Sequence, residues 1–291
     1  MAGIGFELRH MLRKNTLLGL VQAYAYAGVI GSGPWVLSIV GILLIGIFSA
    51  SVVVPGHLVT QFQTSVTYLV ACSLIYTGLV QLAFTRFISD RLFEKQRQLV
   101  LPNLHGLMVF VLIGAGLLGS LALFVLLPGQ SLLYRLLMLA GFTLLCGVWV
   151  LTVLLSGMKR YKAIVALFGL SYGLIVAASL LMRAWGLEGL LGGFVLGHYV
   201  LLAGMWLLVV KEFSPARRLV AFDFLQRDKL YPSLIAIGFL YNLGIWADKF
   251  MFWFFPPTSD EIIGSLRASL IYDLPVFLSY LSIIPGMAVF L

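Results

Sequence analysis

The feature that most constrains this chain is a series of apolar runs, each long enough to cross a lipid bilayer, joined by short polar connections. A helix of about 20 apolar residues covers the roughly 30 Å of hydrocarbon in a bilayer. By that measure the sequence predicts an all-α, polytopic transmembrane helix bundle with eight spans. The predicted spans are 23–53, 59–84, 104–127, 136–158, 163–181, 187–210, 232–255 and 274–291.

Composition supports the same class of protein. Hydrophobic residues make up 61% of the chain, charged residues 10%, and the mean hydropathy is +1.05. A soluble domain carries about 25% charged residues, and no segment here has that composition. The net charge of +8 is spread over short clusters between apolar runs and does not form one continuous basic surface, which argues against a nucleic-acid partner.

Basic residues are divided unevenly between alternate connections, which predicts the orientation of the bundle. With a cytoplasmic N-terminus, fifteen of the 19 Lys and Arg residues lie on the cytoplasmic side. These fifteen are Arg9, Arg13, Lys14, Arg86, Arg91, Lys95, Arg97, Lys159, Arg160, Lys162, Lys211, Arg217, Arg218, Arg227 and Lys229. The remaining four, on or near the outer side, are Arg135, Arg183, Lys249 and Arg267.

The spans and connections predict four regions. Residues 1–22 form a cytoplasmic interfacial helix or, alternatively, a docking helix for a partner protein. Residues 23–210 hold six spans, and 211–229 form a basic cytoplasmic connection expected to lie along the membrane surface and act as a hinge. Residues 230–291 hold two further spans, and because the sequence ends inside an apolar run, we expect more spans to follow.

Span one contains a proline between small and aromatic residues, in the order Gly33, Pro34, Trp35, with Tyr24 earlier in the span. A proline inside a membrane helix breaks the backbone hydrogen-bond ladder, so this helix is expected to kink or unwind. Broken helices line substrate cavities in transporters, and they also occur as purely structural kinks. Both interpretations remain open from the residues alone.

Span seven is the most polar span, with Tyr241, Asn242, Trp246, Asp248 and Lys249. Polar side chains are costly in lipid and are expected to face protein or water. Asn242 and Lys249 are seven residues apart and share one helix face, whereas Tyr241 and Asp248 define a neighbouring stripe. We expect Asn242 and Asp248 to line a polar cavity; Lys249 either joins them or extends to the outer membrane interface.

His198 in span six is the polar residue least explained by position, and His105 lies in span three. Each histidine is either a hydrogen-bond partner between helices or a proton relay. The sequence lacks a glycine-rich phosphate loop, a cluster of Cys and His, and paired carboxylates away from interfaces. No enzyme activity, cofactor or metal is therefore expected, and Cys72 and Cys146 are interpreted as small buried hydrophobes.

Three stretches resemble the PelG family of bacterial inner-membrane exopolysaccharide transporters: 1–8 (MAGIGFEL), 32–37 (SGPWVL) and 242–250 (NLGIWADKF). The resemblance implies a fold similar to the multidrug, oligosaccharidyl-lipid and polysaccharide exporter superfamily, in which two six-helix lobes surround a central cavity. On that plan 23–210 is the first lobe, and 230–291 holds the first two helices of the second.

The resemblance also implies a function. The cargo would be the Pel polysaccharide, an amino-sugar polymer moved from cytoplasm to periplasm during biofilm matrix biosynthesis. The implied partners are a cytosolic glycosyltransferase and the membrane subunits of the Pel complex that include a cyclic di-GMP receptor; anionic lipids are the default partners of the basic loops. The substrate-path candidates are Tyr24, Pro34, Trp35, His198, Tyr241, Asn242, Trp246, Asp248 and Lys249.

Two alternatives remain open at this stage. One is a membrane scaffold that anchors the synthase without forming the path. The other is a cation-coupled small-molecule antiporter of the same superfamily, which would need a protonatable or sodium-binding residue deep in a lobe. Within the first six spans, His198 and His105 are the residues that fit that requirement.

Overall fold

The computed structural model describes residues 56–157, 161–214, 216, 218–226 and 230–279. This part of the chain is mostly helical. Its α-helices are α1 Gly56–Phe93, α2 Val100–Leu126, α3 Leu132–Gly157, α4 Tyr161–Met182, α5 Gly186–Phe213, α6 Pro232–Trp253 and the short α7 Leu270–Ser279. Single turns of 3₁₀ helix occur at Arg97–Leu99, Arg183–Trp185, Asp223–Leu225 and Pro256–Thr258.

Five stretches of the described chain are long and apolar enough to cross a membrane. They are Gly56–Phe93, Arg97–Leu126, Leu132–Leu155, Ala163–Phe213 and Pro232–Trp253. The 51-residue stretch contains both α4 and α5, which are separated by a 3₁₀ turn and by Gly186 at φ 65°. The predicted spans 59–84 to 232–255 each fall on a helix. The total of eight spans stays a prediction.

Several predicted features lie outside the described residues. These are the N-terminal interfacial helix, the whole of span one with Tyr24, Pro34 and Trp35, and most of span eight. Their proposed roles stay predictions.

A β-hairpin, residues 260–268, lies between α6 and α7, in the connection between the predicted spans 232–255 and 274–291. Strand β1 (Asp260–Ile263) pairs antiparallel with β2 (Leu266–Ala268), and Ile263 faces Leu266 across the turn. Gly264 in the turn has φ 54°, a conformation that side chains disfavour. The all-α prediction is therefore wrong at this position, because β-branched residues beside a two-residue turn beginning with Gly favour a hairpin.

Helices α4 and α5 pack through glycines. A Cβ at Gly193 would overlap the backbone of Ser179, and one at Gly197 would overlap Ile175, so α4 and α5 approach closely. Helix α3 packs against α1 and α5. Helix α2 contacts α3 on one side and exposes an apolar face, including Ile113, on the other. Such a face suits contact with lipid.

Helix α1 is longer than the predicted span. Its 38 residues correspond to about 57 Å at 1.5 Å per residue, nearly twice the hydrocarbon thickness. The last turns, after the predicted end at Phe84, continue into the charged segment with Arg86, Asp90 and Arg91. The predicted span ends at Phe84 because charged residues follow it. The helix itself continues to Phe93, because charged side chains do not interrupt the backbone hydrogen bonds of a helix.

The described part of the connection 211–229 is bonded to the helices beside it. Ala221 N donates to Pro102 O at 2.9 Å, and Asp223 N donates to the Asn103 side chain at 2.8 Å. The ring of Phe224 is buried edge-on against Phe84 and Phe87 of α1. Apolar contacts and hydrogen bonds therefore hold residues 221–224 on α1 and α2, and the expectation that 211–229 lies along the membrane surface and acts as a hinge stays a prediction.

Candidate substrate-path site at the contact of α1 and α6

Helices α1 and α6 run antiparallel along most of their length. At one end, called the connection end, Tyr231 Oη donates to Asp90 at 2.7 Å. At the other, called the hairpin end, the ring of Tyr68 stacks on Trp253 with centroids 4.7 Å apart. The predicted orientation places the connection end in the cytoplasm and the hairpin end outside. This contact joins the first group of helices (α1–α5) to the second (α6 and α7).

The two helices are closest at a pair of glycines near the middle of the contact. A Cβ at Gly78 would stand 2.7 Å from Gly238 O and 2.8 Å from the Asn242 side-chain nitrogen. Asn242 Nδ2 donates to Gly238 O at 2.9 Å. Asn242 therefore lies inside this helix crossing, with its amide bonded to its own helix.

Asn242, Lys249 and Trp253 occupy the face of α6 that turns toward the protein, as their spacing predicts. Lys249 is 6% exposed; its ammonium donates to Ile245 O at 3.1 Å and lies 5.3 Å from the Trp246 ring centre. The interpretation in which Lys249 reaches the outer interface is therefore wrong, because this side chain is enclosed in the protein.

Asp248 forms the polar edge of the same region. It pairs with Lys249 at 3.3 Å and accepts a hydrogen bond from the hydroxyl of Tyr272 on α7. The Tyr272 ring stacks on Phe252 with centroids 3.9 Å apart. The Asp248 side chain is 45% exposed, so one side of this ion pair is open while the lysine side is sealed.

Asp273 on α7 adds a second carboxylate to this region. It accepts a hydrogen bond from Trp253 Nε1 at 2.9 Å and one from the backbone of Ser269 at 3.0 Å. Burial raises the pKa of the Asp273 carboxyl above its usual value. Asp248, Lys249, Tyr272, Trp253 and Asp273 together form what is called here the hairpin-end polar cluster.

The other substrate-path candidates on α6 differ in their burial. Trp246 is buried, and its Nε1 makes no hydrogen bond within the described residues. Tyr241 is 67% exposed on the flank of the helix and does not join the cluster. Of the five candidates on this span, Asn242, Trp246 and Lys249 point inward, Asp248 lies at the edge, and Tyr241 faces out.

His198 lies elsewhere, in the contact of α4 and α5. It is 1% exposed, its Nδ1 stands 2.9 Å from Phe194 O, and its ring packs against Phe194 and Tyr172. His105 lies near the connection end, where Nδ1 bonds Leu219 O at 2.7 Å and the ring stacks on Trp206. The predicted site therefore divides into one region on α6 and a separate histidine inside the first group.

One small cavity lies between α1, α2 and α3 in the described part of the chain. It has a volume of about 50 Å³ and is lined by Gln81, Thr85, Leu107 and Val150, among others. Ligand pockets typically measure about 300–1,000 Å³, so this cavity suits water. Among the described residues no group of three His, Cys, Asp or Glu side chains could hold a metal ion.

The model of the PelG family, described as "Putative exopolysaccharide Exporter (EPS-E)", matches residues 1–291. No curated protein matches the chain. No solved structure matches it either.

Proposed function

The chain belongs to the PelG family, and from that premise we propose that it exports an exopolysaccharide across a membrane. The observation that carries the proposal is the family match, which extends over all 291 residues. The long apolar helices of the described chain agree with a multi-pass membrane protein.

The contact of α1 and α6 is the proposed place of the path. It lies between the two groups of helices, and it collects Asn242, Lys249 and the open side of Asp248 on one helix. Charged side chains enclosed within membrane helices commonly mark a transport route. Since Gly78 and Gly238 are in close backbone contact, this arrangement corresponds to a closed path.

The finer proposal follows the family resemblance. The cargo is the Pel polymer, rich in N-acetylgalactosamine and N-acetylglucosamine, moved from cytoplasm to periplasm across the bacterial inner membrane. Its partners are a cytosolic glycosyltransferase and the membrane subunits with the cyclic di-GMP receptor. The protein performs no covalent chemistry; the glycosyltransferase builds the polymer, and the transporter passes it outward.

A scaffold that anchors the synthase is the second candidate, and one observation favours it. The side chains of Asn242 and Lys249 each donate to a carbonyl of their own helix, as residues with a purely structural role also do. A cation-coupled antiporter has less support, because His198 is enclosed by aromatic rings and His105 is bonded at the connection end.

The test is to measure secreted and intracellular polymer in cells carrying Asn242→Leu, Asp248→Leu or His198→Leu. A conduit at α1 and α6 predicts at least a tenfold loss of secreted polymer for the first two variants, with polymer retained inside the cell. His198→Leu, remote from that contact, is expected to secrete normally if it folds. Met251→Leu, an exposed position on α6, is the matched control.

Membrane levels of the variants and of the glycosyltransferase are measured in the same cells. Normal secretion from Asn242→Leu and Asp248→Leu would show that the path does not run through this contact, and would favour the scaffold. Loss of the glycosyltransferase from the membrane, together with loss of polymer, would also favour the scaffold.

A further inference from the structure

The hairpin 260–268 belongs to the second group of helices by sequence, yet its contacts reach the first group. We propose that it is a clasp that holds the hairpin ends of α1 and α6 together and must release before polymer can leave. This inference rests on the proposed export function, and it assigns the hairpin a gating role.

In the first set of contacts, a side chain of one group of helices donates a hydrogen bond to a backbone carbonyl of the other group. Gln61 Nε2 on α1 donates to Ile262 O at 3.2 Å. Ser265 Oγ in the hairpin turn donates to Leu126 O, at the end of α2, at 2.7 Å. The hairpin is thus bonded both to the start of α1 and to the connection between α2 and α3.

The second set of contacts seats the turn on an apolar surface. Ile263 and Leu266 are buried, and a Cβ at Gly264 would stand 2.5 Å from a methyl group of Leu127. Leu127 is itself buried. A turn with a side chain at position 264 could not approach the first group so closely, so the glycine serves both the turn and the contact.

The third set of contacts joins β2 to α1. Tyr68 Oη stands 3.0 Å from Arg267 O and 3.3 Å from Arg267 N, so that the hydroxyl bridges the strand backbone. The Arg267 guanidinium remains within the hairpin, where it pairs with Glu261 at 2.7 Å and donates to Ser259. The ion pair of Arg267 and Glu261 therefore stabilises the hairpin itself, whereas neutral groups form the hydrogen bonds to α1.

These contacts are of a kind that can break and re-form. Each neutral hydrogen bond contributes only a small net stabilisation, because water competes for the same groups. Asp260 and Glu261 are exposed, which indicates that this end of the bundle meets water. Groups released there can bond water, whereas groups released in mid-bilayer would stay unsatisfied. Opening at the hairpin end thus costs less than opening at the helix crossing.

The experiment tethers the hairpin to α1 and measures export. Gln61→Cys and Ile262→Cys are introduced into a protein carrying Cys72→Ala and Cys146→Ala, and the pair is bridged in cells with a short bifunctional methanethiosulfonate. Bridging is expected to reduce secreted polymer at least tenfold, and a reductant is expected to restore it. The control pair is Asp260→Cys with Ala268→Cys, which face each other inside the hairpin, so that bridging them leaves both groups of helices untied.

Mass spectrometry of the purified protein establishes the fraction bridged. Undiminished export after the pair at positions 61 and 262 is bridged would overturn the proposal. It would also be overturned if the reductant did not restore export, or if bridging the control pair reduced export equally. Failure of the export function itself is a separate result, in which cells lacking the protein secrete as much polymer as cells that have it.

Discussion

The connection 218–226 and the hairpin 260–268 flank α6 in the chain, and both contact the first group of helices, but they do so differently. At the connection end Asn103 is fully buried and exchanges two hydrogen bonds with Asp223, at 2.9 and 2.8 Å, while Phe224 packs between aromatic rings. At the hairpin end a small hairpin is held largely by side chains bonded to carbonyls near water.

The difference indicates which end opens. Separating the connection end would expose a buried phenylalanine and leave buried polar groups without partners, which is costly. Separating the hairpin end would expose the small apolar side chains of Ile263 and Leu266, and its polar groups would find new partners in water. We therefore expect the connection end to stay packed while the hairpin end opens, and the following substitutions test that asymmetry.

Gly106→Ala should have the largest effect on stability. A Cβ at this position would overlap the carbonyl of Ala221, and backbone atoms cannot easily move aside. We expect a loss of about 3 kcal/mol, seen as a lower unfolding temperature in detergent. Gly116→Ala on the same helix has open space and is the matched control, expected to be neutral or slightly stabilising. Equal unfolding temperatures for the two variants would contradict a tightly packed connection end.

Phe224→Ala should destabilise by a similar or slightly smaller amount. The buried ring fills the space beside Phe84 and Phe87, and truncating such a ring typically costs about 3 kcal/mol. Phe222→Ala, at an exposed position two residues earlier, should cost less than about 1 kcal/mol. Thermal unfolding of both variants measures the difference, and a small effect at Phe224 would mean that the connection is not anchored by this ring.

Tyr68→Phe should act locally and more weakly. It removes the hydroxyl that bridges the backbone of Arg267, at a cost of about 1 kcal/mol. Hydrogen exchange in 260–268 should become roughly fivefold faster, while exchange in 218–226 stays unchanged. The exposed Tyr199→Phe is the control, with no expected change. Faster exchange at both ends would show that the two ends open together, against the asymmetry.

Asp273→Asn should have the smallest effect. Burial raises the pKa of this carboxyl, so the folded protein holds the proton to a higher pH than the unfolded chain does. The group therefore favours the folded state as pH falls through the interval between the unfolded and folded pKa values. The asparagine variant keeps an oxygen acceptor for Trp253 and should lose that pH dependence, with little change in unfolding temperature near neutral pH. An unchanged pH profile would contradict the assignment.

The helices and the inward face of α6 could be predicted from sequence, because apolar length and the spacing of Asn242 and Lys249 are local signals. The pairing of Asn103 with Asp223 could not, since 120 residues separate them and neither spacing nor composition connects the two. The contact of Gly78 with Gly238 was equally hidden, because both helices contain other glycines and sequence alone does not choose the crossing point. Gly264 could have predicted the hairpin turn, but a search for apolar runs does not consider single glycines.

The crossing at Gly78 divides α1 into two segments of unequal length. Measured from the glycine crossing at Gly78, the arm to Gln61 is about 26 Å and the arm to Asp90 about 18 Å, at 1.5 Å per residue. A rigid tilt of about 5° about the crossing would displace the hairpin end by about 2 Å, enough to break hydrogen bonds that are about 3 Å long. A displacement of α1 at the connection end would then produce a larger displacement at the hairpin end.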